Sequence, residues 1–215
     1  MLASAQAPAN TKTDWTQKLT QTAQGAYVIG NPAAKTKLVE YVSYTCSHCA
    51  AFVAQGTGPL KARWVAPSQL TIEIRNVVRD RYDLTAALLA RCGGPARFLG
   101  NHEAIFAAFP NWMQNVMAYN LASPVAPPGM SQSAELFDIA EKTGLVALMA
   151  KRGINAAQSK ACLADEKTID TVIAMTKAGI EQDKVSGTPS FLINGVMAKS
   201  HDWASLRPLL PTPAN

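Results

Sequence analysis

The 215-residue chain is short of charge, of cysteine and histidine, and of long apolar runs. No apolar stretch approaches the ~18 residues of a membrane-spanning helix, so no such span is expected. Twenty Lys and Arg against fifteen Asp and Glu leave a net charge of +5. These basic residues are scattered, whereas a nucleic-acid partner calls for a clustered basic face, so no nucleic-acid partner is expected. Cys92 and Cys162 are isolated, and His102 and His201 lie far from Cys46 and Cys49. The second ligand pair of a structural zinc site is therefore missing, and no metal site is expected. Ala50 follows the second cysteine where haem attachment needs histidine. Four cysteines are too sparse for a small disulfide scaffold.

Hydrophobic residues make up 48% of the chain and charged residues 16%, enough apolar content for a core. The length allows one large domain, or one domain with a sizeable insertion. Small residues alternate in Met1-Leu2-Ala3-Ser4-Ala5-Gln6-Ala7-Pro8, as in the tail of a secretory signal. The charged and apolar regions that precede such a tail are absent. A trimmed precursor, which implies export to an oxidising compartment, and an ordinary Ala-rich tail both fit.

Residues 1–25 are polar and predict a flexible lead with one helical turn around Trp15. Tyr27-Val28-Ile29 is β-like. Lys37 to Tyr44 is apolar on both faces, as in a buried central strand. A helix is predicted from Cys46 through Val53, with a kink or break at Gly56-Thr57-Gly58-Pro59. Leu70 to Val78 alternates as a second strand. Short helical segments then run from Leu84 to Leu163, separated by Gly and Pro. A long helix follows over about 165–184, with Ile169, Val172, Ile173, Thr176 and Ile180 at helical spacing. Ser190 to Ile193 is a strand, Asn194-Gly195 a hairpin turn and Val196 to Ala198 its partner. A last helix is predicted from about His201 to Leu210. Strands at both ends with helices between them indicate an α/β domain carrying an all-α insertion. Trp112, Met113, Met117, Tyr119 and Met130 form an apolar stretch expected in the core, with part of it open to a substrate groove.

The chemistry centres on Cys46-Ser47-His48-Cys49, placed between a strand and a helix start. Unpaired N–H groups and the helix dipole favour a thiolate there. Cys46 is expected to be exposed and to carry the exchange, with Cys49 one turn on, more buried, resolving the intermediate. His48 can place positive charge near the Cys46 sulfur. Lowering a thiol pKa from ~8.5 to about 5 raises the thiolate fraction roughly 30-fold at neutral pH. The same shift costs roughly 25- to 55-fold in nucleophilicity at a Brønsted slope of about 0.4–0.5. Attack is thus little changed, while Cys46 becomes a better leaving group and the reduced pair is stabilised. Both effects favour passing a disulfide on.

Three features resemble one family: Glu40-Tyr41-Val42-Ser43-Tyr44-Thr45-Cys46-Ser47-His48-Cys49, the helical insertion, and Val185-Ser186-Gly187-Thr188-Pro189-Ser190-Phe191-Leu192-Ile193-Asn194-Gly195. Together they look like a DsbA-type thiol:disulfide oxidoreductase of the thioredoxin superfamily. The resemblance implies a thioredoxin-like fold with an inserted all-α helical domain. The thioredoxin-like part would comprise 26–82 and 164–215, and the insertion 83–163. It implies that Pro189 is cis and faces Cys46, with the Thr188 backbone free to pair with an extended substrate. It suggests that Glu40 relays a proton from Cys49, and that Cys92 and Cys162 form a structural disulfide. Ser47 and Thr188 depart from the Pro and Val found in some members, which bears on oxidant strength.

By the same resemblance the chain would be a periplasmic dithiol oxidase, acting on reduced or unfolded secreted proteins. A membrane quinone-linked, DsbB-like thiol oxidase would reoxidise it. No cofactor is implied beyond the redox-active Cys46–Cys49 disulfide. The short lead before the first strand favours a monomer over the dimeric isomerases of the superfamily. The alternatives are an isomerase or reductase on the same fold, a Cu(I)-handling protein using Cys46, His48 and Cys49, and a peptide-binding holdase.

Overall fold

Strand β3 (Thr36–Val42) lies at the centre of a mixed sheet and is buried at every position except Lys37. Its apolar residues on both faces require cover on both sides. The computed structural model describes residues 13–123 and 125–213. With β1 (Leu19–Gln21), β2 (Tyr27–Ile29), β4 (Leu70–Asn76), β5 (Ser190–Ile193) and β6 (Val196–Met197), the sheet order is β1-β2-β4-β3-β5-β6. Only the β3–β4 pair is parallel. Leu19–Gln21 belongs to the expected flexible lead, yet it forms an edge strand on β2. The secretory-signal reading falls on residues 1–8, outside the described residues.

Helix α1 (Ser47–Phe52) continues through a π-helical stretch Val53–Thr57, α2 (Gly58–Leu60) and a second π-helical stretch Lys61–Val65. The expected break at Gly56–Pro59 does not occur. Pro59 cannot donate a backbone hydrogen bond, and the wider π turns on either side carry the helix past it. Gly56 lets Trp203 approach: a Cβ there would stand 3.0 Å from the indole.

Between β4 and α9 (Glu166–Glu181) lie six helices: α3 (Arg81–Arg91), α4 (Pro95–Ala107), α5 (Phe109–Ala122), α6 (Gln132–Lys142), α7 (Leu145–Lys151) and α8 (Ala156–Leu163). Helix α3 is buried from Tyr82 to Arg91 and packs against α4, α6, α8 and α9. A disulfide joins Cys92 to Cys162 across a sequence separation of 70. A loop of that length is stabilised by about 4 kcal/mol in the chain-entropy account. The sheet and the insertion share one core: Phe98 stacks on Tyr27 at 3.9 Å, and Phe106 on Tyr44 at 4.9 Å.

Two expectations about faces need correction. On α9, Ile169 and Val172 are buried, but Ile173 and Ile180 are each 50% exposed. Met175 and Gly179 take the inner positions instead, because the Tyr41 ring would lie 2.6 Å from any Cβ at residue 179. On α5, only Trp112 and Val116 are buried; Met117 on that helix and Met130 in the loop after it are exposed. The β5–β6 turn has positive φ at both Asn194 (50°) and Gly195 (82°), as a two-residue hairpin turn demands. The last helix is shorter than expected: α10 (Trp203–Leu206) passes into a 3-10 turn, Arg207–Leu209.

Candidate active site

Beyond β3 the chain must turn from strand to helix over Ser43-Tyr44-Thr45, and Asp83 near the start of α3 supports that turn. Its buried carboxylate accepts hydrogen bonds from Ser43 Oγ (2.6 Å), Tyr44 N (2.7 Å) and Arg79 N (3.1 Å). Burial pushes the Asp83 carboxyl up to about 7, and those donors oppose the rise. The Tyr44 hydroxyl meets His102 Nδ1 at 2.9 Å. Burial, reinforced by Arg91 and Lys61, lowers His102 to about 3 and so keeps it neutral. The approach to Cys46 is thus pinned to the insertion at two residues.

Cys46 is the N-cap residue of α1, and Cys49 follows one turn on. Both are free thiols, with Cys49 fully buried. Cys46 was expected at the surface but is only 5% exposed. Its cover comes from the loop before β5, where the Cys46 thiol donates to the Thr188 carbonyl at 3.1 Å. The Thr188–Pro189 peptide bond is cis. The Thr188 hydroxyl is buried and has no hydrogen-bond partner among the described residues.

The two thiols are driven apart in acidity. Cys46 is lowered to about 4, first by a hydrogen bond from the Cys49 thiol. Burial opposes this, while the Thr188 side chain and the N–H groups of Cys49 and His48 add to it. In its thiol form the Cys46 sulfur makes no capping bond to the helix. Those amides favour the sulfur once it is ionised. Cys49 is pushed strongly upward, first by burial and then by its hydrogen bond to Cys46 and the negative charge there. His48 was expected to act through an imidazolium. Its side chain is exposed, and its backbone N–H is among the groups that lower the sulfur. Ser47, in the first turn, is exposed as well.

Glu40 on β3 is 2% exposed, with Oε1 lacking a hydrogen-bond partner among the described residues. Burial pushes its carboxyl up to about 8, so it holds a proton at neutral pH. Its charge, when present, raises Cys49 further. No group of three or more His, Cys, Asp and Glu that could hold a metal ion occurs among the described residues.

Asp83 and the Thr188 hydroxyl were not singled out from the sequence for these contacts. A helix-start signal was available at Asp80-Arg81-Tyr82-Asp83, since Asp80 caps α3 by accepting from Asp83 N at 2.8 Å. That signal marks the helix, but says nothing of the loop that Asp83 holds.

Residues 22–211 match the protein family described as Thioredoxin. A solved structure titled as a protein-disulfide isomerase from Novosphingobium aromaticivorans is 39% identical, with a TM-score of 0.76, covering 85% of this chain and 93% of that one. The alpha-DsbA1 structure of Wolbachia pipientis shares the fold at 19% identity, with a TM-score of 0.69 and coverage of 88% and 90%. A Rickettsia bellii relative, provisionally named a protein-disulfide oxidoreductase, is 28% identical over 180 residues, which are 83% of this chain and 61% of that protein. The chain thus spans about six-tenths of the length of the curated relatives it matches. With a cis-proline loop closed over a CxxC helix start and a family match across nearly its whole length, this chain belongs to the thioredoxin family.

Proposed function

We propose that this chain is a dithiol oxidase that donates the Cys46–Cys49 disulfide to reduced secreted proteins. The opposed acidity of the two thiols carries the reading, with Cys46 low and Cys49 high. A substrate thiolate attacks Cys46 Sγ, forming a mixed disulfide and breaking the Cys46–Cys49 bond. Cys49 leaves as a thiolate and takes up a proton, for which protonated Glu40 is a fitting source. A second substrate thiolate then attacks the substrate sulfur of the mixed disulfide, and Cys46 leaves as a stable thiolate. The substrate dithiol is oxidised to a disulfide, and the enzyme disulfide is reduced to a dithiol. Thr188 and Pro189 form the edge on which an extended substrate would lie.

On this reading the protein works in the periplasm as a monomer, and a DsbB-like membrane oxidase linked to quinone restores the disulfide. No organic cofactor takes part. The protein at 39% identity is named an isomerase, which favours a second reading, in which reduced Cys46 attacks wrong disulfides. The test compares two substrates. Rapid oxidation of a reduced dithiol peptide with poor recovery of scrambled ribonuclease supports the oxidase. Strong recovery of scrambled ribonuclease by the reduced protein supports the isomerase. A Cys46→Ala variant that keeps full activity would remove both.

A further inference from the structure

Strand β6 stops before the outer edge of β5 is fully paired. Carbonyls two residues apart on a strand face the same side. On that outer edge, Phe191 O accepts from Ala198 N at 2.8 Å. Two residues earlier, in the bend just before β5 begins, stands the carbonyl of Pro189. His201 meets it, with Nδ1 2.9 Å from Pro189 O. A carbonyl only accepts, so Nδ1 carries the proton in this arrangement. The imidazole N–H stands in for the next backbone donor of the ladder.

The segment that carries His201 also grips the CxxC helix. Trp203 lies edge-on to Phe52 at 6.4 Å and to Trp64 at 6.1 Å. Phe52 in turn packs on Phe191 at 4.6 Å, just after the cis-proline. Asp202 fixes the segment by capping α10, accepting from Ser205 N at 2.8 Å. Residues 201–203 therefore touch both walls of the site, Pro189 through a hydrogen bond and α1 through ring packing.

We propose that His201 is a positioning residue for polypeptide substrates, an inference that rests on the thiol:disulfide exchange reading above. By holding the outer carbonyl of Pro189, it orients Thr188, whose own carbonyl faces Cys46, for pairing with an extended substrate segment. The reacting sulfurs gain nothing directly from the imidazole. Its effect falls on substrates long enough to lie along the edge.

The test uses the full chain in its oxidised form, with glutathione disulfide in excess to reoxidise it after each turnover, and with a ten-residue dithiol peptide and dithiothreitol as parallel substrates, the uncatalysed rate being subtracted. His201 is exposed, so its replacement removes no core packing. In His201→Ala, KM for the peptide rises about fivefold, the loss expected of one neutral hydrogen bond. The ratio of kcat/KM for peptide over dithiothreitol falls by the same factor, while in the reduced protein the thiolate titration of Cys46 keeps its wild-type midpoint. His201→Asn, with an amide N–H near the place of Nδ1, restores the ratio. An unchanged ratio in His201→Ala, a ratio not restored by His201→Asn, or a moved Cys46 midpoint overturns the inference and leaves the exchange reading standing. A wild-type protein that oxidises neither substrate removes both.

Discussion

The Cys46 thiol donates a hydrogen bond to the carbonyl of Thr188 at 3.1 Å, joining residues 142 apart in sequence. That carbonyl can serve only the protonated sulfur. When Cys46 ionises, the Thr188 hydroxyl, without a hydrogen-bond partner in the thiol form, becomes the useful neighbour. One residue thus offers an acceptor to the thiol and a donor to the thiolate.

Thr188→Val keeps the shape and removes the donor. A hydrogen bond to a charged group contributes about 1.5–3 kcal/mol, so the Cys46 pKa should rise by about one unit or more. The reduced pair loses that stabilisation, and the reduction potential should fall by about 30 mV per unit. Equilibration with glutathione measures the potential. An unchanged or higher value would show that the hydroxyl does not serve the thiolate.

Glu40 gives a pH signature of its own. Its folded pKa, about 8, stands well above the ordinary carboxyl value of 4.5. A raised carboxyl binds a proton longer in the folded state than in the unfolded one. Its effect on stability is therefore absent below about pH 4.5 and grows unfavourable as pH rises towards 8. Glu40→Gln should be more stable than wild type by about 3 kcal/mol at pH 7, and equal to it near pH 4. Urea unfolding of the oxidised proteins, in which the active-site thiols do not titrate, checks this. A gap independent of pH would contradict it.

The reduced protein should show the opposite slope through Cys46. Its folded pKa, about 4, lies well below the ordinary thiol value of 9.0. The stabilisation is complete above the unfolded value and is lost as pH falls through the folded one. At pH 7 it amounts to about 4 kcal/mol in favour of the reduced form. The stability of the reduced form minus that of the oxidised form, followed from pH 4 to 9, should climb. A flat difference would mean that the fold does not favour the thiolate.

Asp83 is the anchor of the turn into Cys46. Asp83→Ala leaves Ser43 Oγ and the N–H groups of Tyr44 and Arg79 without this buried acceptor. A cost of about 3 kcal/mol is expected from unsatisfied buried donors, read from the urea midpoint. A loss under about 0.5 kcal/mol, the range of an ordinary surface change, would show that the anchor is idle.

Local signals made much of this architecture legible. The apolar run before Cys46 gave the central strand, Asn194-Gly195 gave the hairpin, and Gly and Pro divided the insertion helices. The residues of the redox motif and the proline opposite it came from motif and resemblance. What failed depends on distant packing. The phase of α9 is set by the Tyr41 ring against Gly179, which no spacing within the helix reveals. The burial of Cys46 is imposed by Thr188 from the far end of the chain. The His48 backbone N–H also favours the Cys46 sulfur, a contribution whose direction only the fold defines.

The most direct test of an oxidant built on a stabilised thiolate is the ionisation of Cys46 in the reduced protein, read from ultraviolet thiolate absorbance against pH. A midpoint near 4, with Cys49 silent across the physiological range, is expected. A midpoint near 8, the range of an ordinary free thiol, would contradict the account.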